Sequence, residues 1–174
     1  VAPTIAGTGT IGETLTAITD GTWTGTPTPT LTRNWQRNGV DIASETATTY
    51  VLVVADGGTN VRLRVRGTNS QGISDGFSTV TAITAATVPA NTGVPTFTGS
   101  TTVGSLLTGA DGTWTGIPAP TFAYQWQRNG SNIAAATSST YTSVAADVGT
   151  AVRLRVTGSN VAGSAAAFSA AVTI

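Results

Sequence analysis

The chain has 174 residues, and only 9% of them are charged. Eight arginines balance eight acidic residues, and there is no Lys, His, Cys or Met. Disulfides and thiolate or imidazole metal sites are therefore excluded, and neither nucleic acid nor an anionic membrane would be attracted by charge. No apolar run approaches the ~20 residues that span a bilayer, so no membrane insertion is expected. The low charge and the Thr-, Gly- and Ala-rich composition point outside the cell. Because it opens on Val1 without a Met, the chain reads as a processed product or as a segment of a longer polypeptide.

Along the chain, Thr, Val and Gly dominate and no segment holds a 3.6-residue apolar period. Strands are expected near 3–7 and 12–19. A turn-rich stretch, Gly-Thr-Trp-Thr-Gly, follows at 21–25, and Pro27 and Pro29 come after it. The next strand carries Trp35-Gln36-Arg37 and ends in Asn38-Gly39, a strong hairpin signal because both residues tolerate φ > 0. A strand near 49–54 leads to a turn at Asp56-Gly57-Gly58. Then Val61, Leu63 and Val65 alternate with Arg62, Arg64 and Arg66, a pattern that buries one face and wets the other. A last strand is expected near 76–83.

The order then repeats. Trp-Gln-Arg-Asn-Gly recurs 91 positions later, from 35–39 to 126–130. Gly-Thr-Trp-Thr-Gly recurs at 112–116, and Val-Arg-Leu-Arg-Val recurs at 152–156. One extra residue near Ile18 changes the offset, so that Pro3 pairs with Pro95 and Leu15 with Leu107. About half of the aligned positions are identical, which establishes a duplication. Units of about 85 residues fit independent small domains in series. The expected organisation is one repeat over 1–85, a linker over 86–92 and a second repeat over 93–174. In the second repeat Phe122, Tyr124 and Trp126 share one strand face, opposite Ala123, Gln125 and Gln127. Arg33 aligns with Tyr124 on the inward face, where a charge is costly unless it is paired or reaches water. About seven short strands per repeat, separated by Gly, Pro, Asn and Asp turns, predict an all-β fold of two antiparallel β-sandwiches.

The series Gly-x-x-Leu, Pro-x-Pro, Trp-Gln-Arg-Asn-Gly, Thr-Tyr, Asp-x-Gly-Thr and Asn-Ser-x-Gly resembles an immunoglobulin-like domain of the intermediate type. It is most similar to the Cys-less tandem repeats of bacterial surface proteins and phage virion proteins, and the resemblance spans nearly the whole chain twice. It implies that Trp35 and Trp126 lie on strand C in the core, and that the Asp-x-Gly segment turns the corner before strand F. The inter-sheet disulfide of the family is absent, and Leu15, Leu63, Leu107 and Leu154 are expected to fill that space. The resemblance implies a non-enzymatic adhesion, spacing or virion-decoration module, located on a virion or a bacterial cell surface, with a protein partner.

Several residues are candidates for contact. Trp23 and Trp114, in the Gly/Thr stretch, either stack on a cell-surface glycan or cap one end of a sandwich. Arg62, Arg64, Arg66, Arg153 and Arg155 should face solvent beside the outward Asn34, Gln36, Gln125 and Gln127. This polar face suits a protein contact, or else covers and protects the sheet. Asp56 and Asp147 either pair with Arg37 and Arg128 or, more economically, hydrogen-bond within their own turns. No catalytic site is expected. There is no His or Lys to activate a Ser or Thr, no evident carboxylate pair and no phosphate-binding glycine loop. No cofactor is implied. The sequon Asn129-Gly130-Ser131 lies in a tight hairpin and has no counterpart at Asn38-Gly39-Val40, so it reads as accidental. The leading expectation is a structural or display module, with a glycan-binding adhesin using Trp23 and Trp114, or a passive spacer, as alternatives.

Overall fold

The computed structural model describes residues 1–174 as two compact units, Val1–Ala86 and Thr87–Ile174. In the first unit β1 (Thr4–Ala6), β2 (Thr14–Thr19) and β5 (Thr49–Val51) form one antiparallel sheet. The other sheet runs β4 (Val40–Asp41), β3 (Thr30–Arg37), β6 (Asn60–Asn69), β7 (Gly72–Phe77), with β8 (Thr81–Ala82) also pairing β6. This is an immunoglobulin-like sandwich, with strands A, B and E in one layer and C′, C, F and G in the other.

The second unit repeats the plan. Its first sheet is β10 (Thr96–Thr98), β11 (Leu106–Ala110) and β15 (Thr140–Thr142). Its second is β14 (Ser131–Asn132), β13 (Thr121–Arg128), β16 (Ala151–Asn160) and β17 (Gly163–Phe168), with β18 (Val172–Thr173) also on β16. An additional pair, β9 (Thr87–Gly93) with β12 (Thr113–Ile117), has no counterpart in the first unit.

Three expectations change here. The stretch 86–92, read as a linker, lies almost wholly in β9, because Gly-Thr-Trp-Thr-Gly at 112–116 supplies it with a pairing edge. The strand near 76–83 is two strands, β7 and β8. Between them Ser78 donates its N–H to the Leu63 carbonyl and accepts the Leu63 N–H on its hydroxyl, which breaks the ladder. The extra residue near Ile18 becomes a β-bulge: Thr4 faces Thr19 while Ile5 faces Ala17, and Ile18 is pushed outward to 59% exposure.

Each core forms on the alternating faces. Trp35 and Trp126 are fully buried, and each is opposed across the ladder by a buried leucine, Leu63 or Leu154. Their indole N–H groups donate to the carbonyls of Ala47 and Ser138, both at 3.0 Å. The rings stack on Tyr50 and Tyr141 at centroid distances of 5.8 and 5.6 Å. Leu15 and Leu107 are likewise fully buried. At the hairpins that follow, Asn38-Gly39 and Asn129-Gly130 all take positive φ, between 47° and 84°.

Candidate functional site

The Trp of Gly-Thr-Trp-Thr-Gly closes one end of each sandwich. Trp23 and Trp114 are half-buried, and each donates its indole N–H over 2.8 Å to a backbone carbonyl three residues earlier, of Asp20 or Asp111. Glycines make the seat. A Cβ on Gly67 would lie 2.7 Å from the Trp23 ring, and one on Gly76 would lie 3.1 Å from it. Gly158 seats Trp114 in the same way, with Phe122 tilted against that ring at 5.6 Å. One ring face and the indole N–H of each Trp are therefore used inside its own unit.

The arginine face is bound together laterally. Arg62 donates to Gln36 at 2.8 Å and lies over the Phe77 ring at 4.1 Å. Arg153 does the same with Gln127 and Phe168, at 2.8 and 4.3 Å. Gln36 and Gln127 donate onward to Asp41 and Asn132, both at 2.8 Å. The two glutamines were expected in solvent but are only 5% and 7% exposed, because the arginine and the C′ side chain close over them. The expected open ladder of Arg62, Arg64, Arg66, Arg153 and Arg155 is correspondingly half-buried. Phe77 and Phe168, which complete each layer, escaped the sequence reading. The signal was present in the shared Phe-Ser at 77–78 and 168–169.

Beyond these layers the units diverge. Arg64 pairs with Asp41 at 2.7 Å, while Arg66 grips Asp75 with two bonds of 2.8 Å that hold its carboxyl below the usual range. In the second unit Asn132, Thr157 and Ala166 replace Asp41, Arg66 and Asp75. Strands β13, β14, β16 and β17 carry no acidic residue. Arg155 has neither an ion pair nor a side-chain hydrogen bond, and Gln125 turns instead to the carbonyls of Trp126 and Ile133.

A third cluster sits at the sandwich base. Asp56 and Asp147 are fully buried, and each accepts from an arginine Nε at 2.6 Å, from Arg37 or Arg128. Each also accepts from a tyrosine hydroxyl, Tyr50 at 2.9 Å or Tyr141 at 2.7 Å, and from a turn N–H at 2.8 Å, of Val53 or Val144. Both roles weighed for these aspartates are thus filled at once. The tyrosine was missed, although Thr-Tyr stands six residues before Asp in both repeats. Burial acts first on Asp147 and opposes its charge, but the Val144 N–H, Arg128 and Tyr141 outweigh it and hold the carboxyl below its ordinary range. Burial, then the bond to Asp56, pushes the Tyr50 hydroxyl up to about 12.

Arg33 reaches sideways to Asp20, with Nε 2.6 Å from Oδ1, and so meets the cost expected of an inward charge. In the second repeat Tyr124 stands in its place. The neighbouring Asp111 carboxylate, then burial, raises the Tyr124 hydroxyl.

No group of three or more His, Cys, Asp or Glu side chains is placed to hold a metal ion. No helix is long and apolar enough to cross a membrane.

No family model and no curated protein matches the chain. Among solved structures it is similar to the N-terminal domains of the bacteriophage RB49 highly immunogenic outer capsid protein, at 18% identity over 97% of this chain, with a TM-score of 0.48. It is also similar to immunoglobulin domains of Sidekick-1, at 19% identity over 98% of this chain, with a TM-score of 0.45. A set of titin domains shares 17% identity over 92% of this chain, with a TM-score of 0.40. The chain spans 58%, 38% and 57% of those three chains. The fold assignment rests on the sheet order and the core described above.

Proposed function

We propose that this chain is a non-enzymatic structural or display module of an extracellular assembly, a phage virion or a bacterial surface, making weak protein contacts. One observation carries the reading: every arginine except Arg155 is held by a partner inside its own unit. Residues that resemble a ligand clamp in the sequence are occupied in stiffening two small sandwiches that lack disulfides. The Trp corners support the same reading, because their indole N–H groups and one ring face are engaged in packing. The acid-free face around Arg155 is the surface best suited to a protein contact, since Arg is favoured at interface centres. The resemblance of the repeated motifs to virion and surface modules supports that location.

Immunogold electron microscopy of the native source, with antibody to this chain, tests the proposal. Label on particles or on the cell envelope is expected. Label confined to the cytosol would contradict it.

A further inference from the structure

The outer faces of the two C′, C, F and G sheets share one frame and differ in charge. Arg64 and Arg155 hold the same place in it. Arg64 lies opposite Asn34 and Phe77, and Arg155 lies opposite Gln125 and Phe168. In the first unit the neighbouring strand supplies a carboxylate: Asp41 accepts from Gln36 on Oδ1, and its Oδ2 lies 2.7 Å from Arg64 Nη2. The register is identical in the second unit, where Gln127 faces Asn132 as Gln36 faces Asp41. Asn132 Oδ1 accepts from Gln127 at 2.8 Å. Its other terminal atom is an NH2 group, a donor, which cannot accept from Arg155.

No other acid in the unit fills the gap. Thr87–Ile174 holds two acidic residues, Asp111 and Asp147. Asp147 is fully buried in the base cluster. Asp111 stands beside Tyr124, on the opposite face of β13 from Gln125. The guanidinium N–H groups of the half-buried Arg155 are left to solvent.

The surround is neutral. Thr157 meets Ala123 and Ala166 across the ladder, where the first unit has Arg66 gripping Asp75. Phe168, directly opposite Arg155, is 39% exposed. Covering the first face would desolvate the ion pairs of Arg64 and Arg66. Covering the second desolvates arginine among small and apolar side chains. The unpaired Arg155 then dictates the occupant, because a buried guanidinium without an acceptor is costly.

We infer that this face docks a protein partner through one Asp or Glu side chain, set in an otherwise uncharged surface and placed against Arg155 as Asp41 is placed against Arg64. The inference rests on the contact role proposed above for this face and adds what lies opposite it. The carboxylate takes the guanidinium edge, while Phe168, Ala166 and Thr157 form the neutral rim that excludes water. The first unit closes the same pair from within, so its face makes no such demand.

The probe is the blocked peptide acetyl-Ala-Leu-Glu-Leu-Ala-amide, titrated through the millimolar range into the full chain, with the Gln peptide as its neutral twin. Arginine Nε–H and backbone amide signals are followed by NMR, and Arg64 is the internal control. Arg155 and the amides of β16 and β17 should move with the Glu peptide, with about tenfold weaker affinity for the Gln peptide, while Arg64 stays. Asn132→Asp should abolish the response by closing the pair from within, and Asp41 shows that the frame accepts Asp at this place. Arg155→Gln should abolish it at the amides. No movement at Arg155, equal affinity for both peptides, or a full response in Asn132→Asp would overturn the inference. Movement with sialyllactose and not with the Glu peptide would also overturn it, by making the occupant an acidic glycan. The surface-module reading stands or falls separately, on the immunogold label.

Discussion

Replacing Asp147 by Ala removes the acceptor of three donors at once, and its cost can be worked from the geometry. The Val144 N–H and the Tyr141 hydroxyl lose bonds of 2.8 and 2.7 Å in a site that water barely reaches. Two orphaned donors at about 1–2 kcal/mol each give about 2–4 kcal/mol. Arg128, with 28% of its side chain exposed, can turn to water and adds little. With a urea dependence near 1 kcal/mol/M for a unit of this size, the midpoint should fall by about 2 M or more. Urea titrations followed by the indole N–H signals of the four tryptophans assign the loss to a unit. Trp114 and Trp126 should shift while Trp23 and Trp35 stay. A fall below about 0.5 M would refute the claim that this carboxylate organises the base of the sandwich.

Other outcomes follow from the same contacts. Melting temperature should be level between about pH 5 and 7 and should drop below about pH 4. Asp147 is depressed in the fold, so its contribution is complete above the ordinary carboxylate value and disappears as pH falls through the folded one. Tyr50 carries the opposite sign. Its contribution is complete below about 10 and is lost as pH rises through about 12, which alkaline melts of the first unit would show. Gly67→Ala should cost about 1–3 kcal/mol and red-shift Trp23 fluorescence, because its Cβ would lie 2.7 Å from the ring. Gly158→Ala should cost less, since the corresponding approach is 3.1 Å. Arg155→Glu should leave stability within about 0.5 kcal/mol and weaken retention in the assembly, as measured by co-sedimentation.

Much of this was legible in the residues. Period-two alternation placed Val61, Leu63 and Val65 inward, and duplication placed the same strand at 152–156. Asn-Gly marked both hairpins. The failures share a physical cause. Alternation says which face a side chain occupies but not whether neighbours cover it. Gln36 is on the outward face and still buried, because Arg62 and Asp41 reach over it. Loop composition at 86–92 described a segment without a strand pattern of its own, and β9 exists through its pairing with β12. Long-range partners of this kind, including Tyr50 for Asp56 and Asp20 for Arg33, are set by which strands meet.

On the proposed function, the duplicated motifs hold the sandwiches together and do not form paired ligand sites. It is tested most directly by Trp23→Ala and Trp114→Ala, with urea unfolding and glycan-array binding measured on the same preparations. A loss of about 2–3 kcal/mol in the substituted unit is expected, with arrays that are flat for parent and variants alike. Unchanged stability, together with a glycan signal that the substitutions abolish, would contradict it.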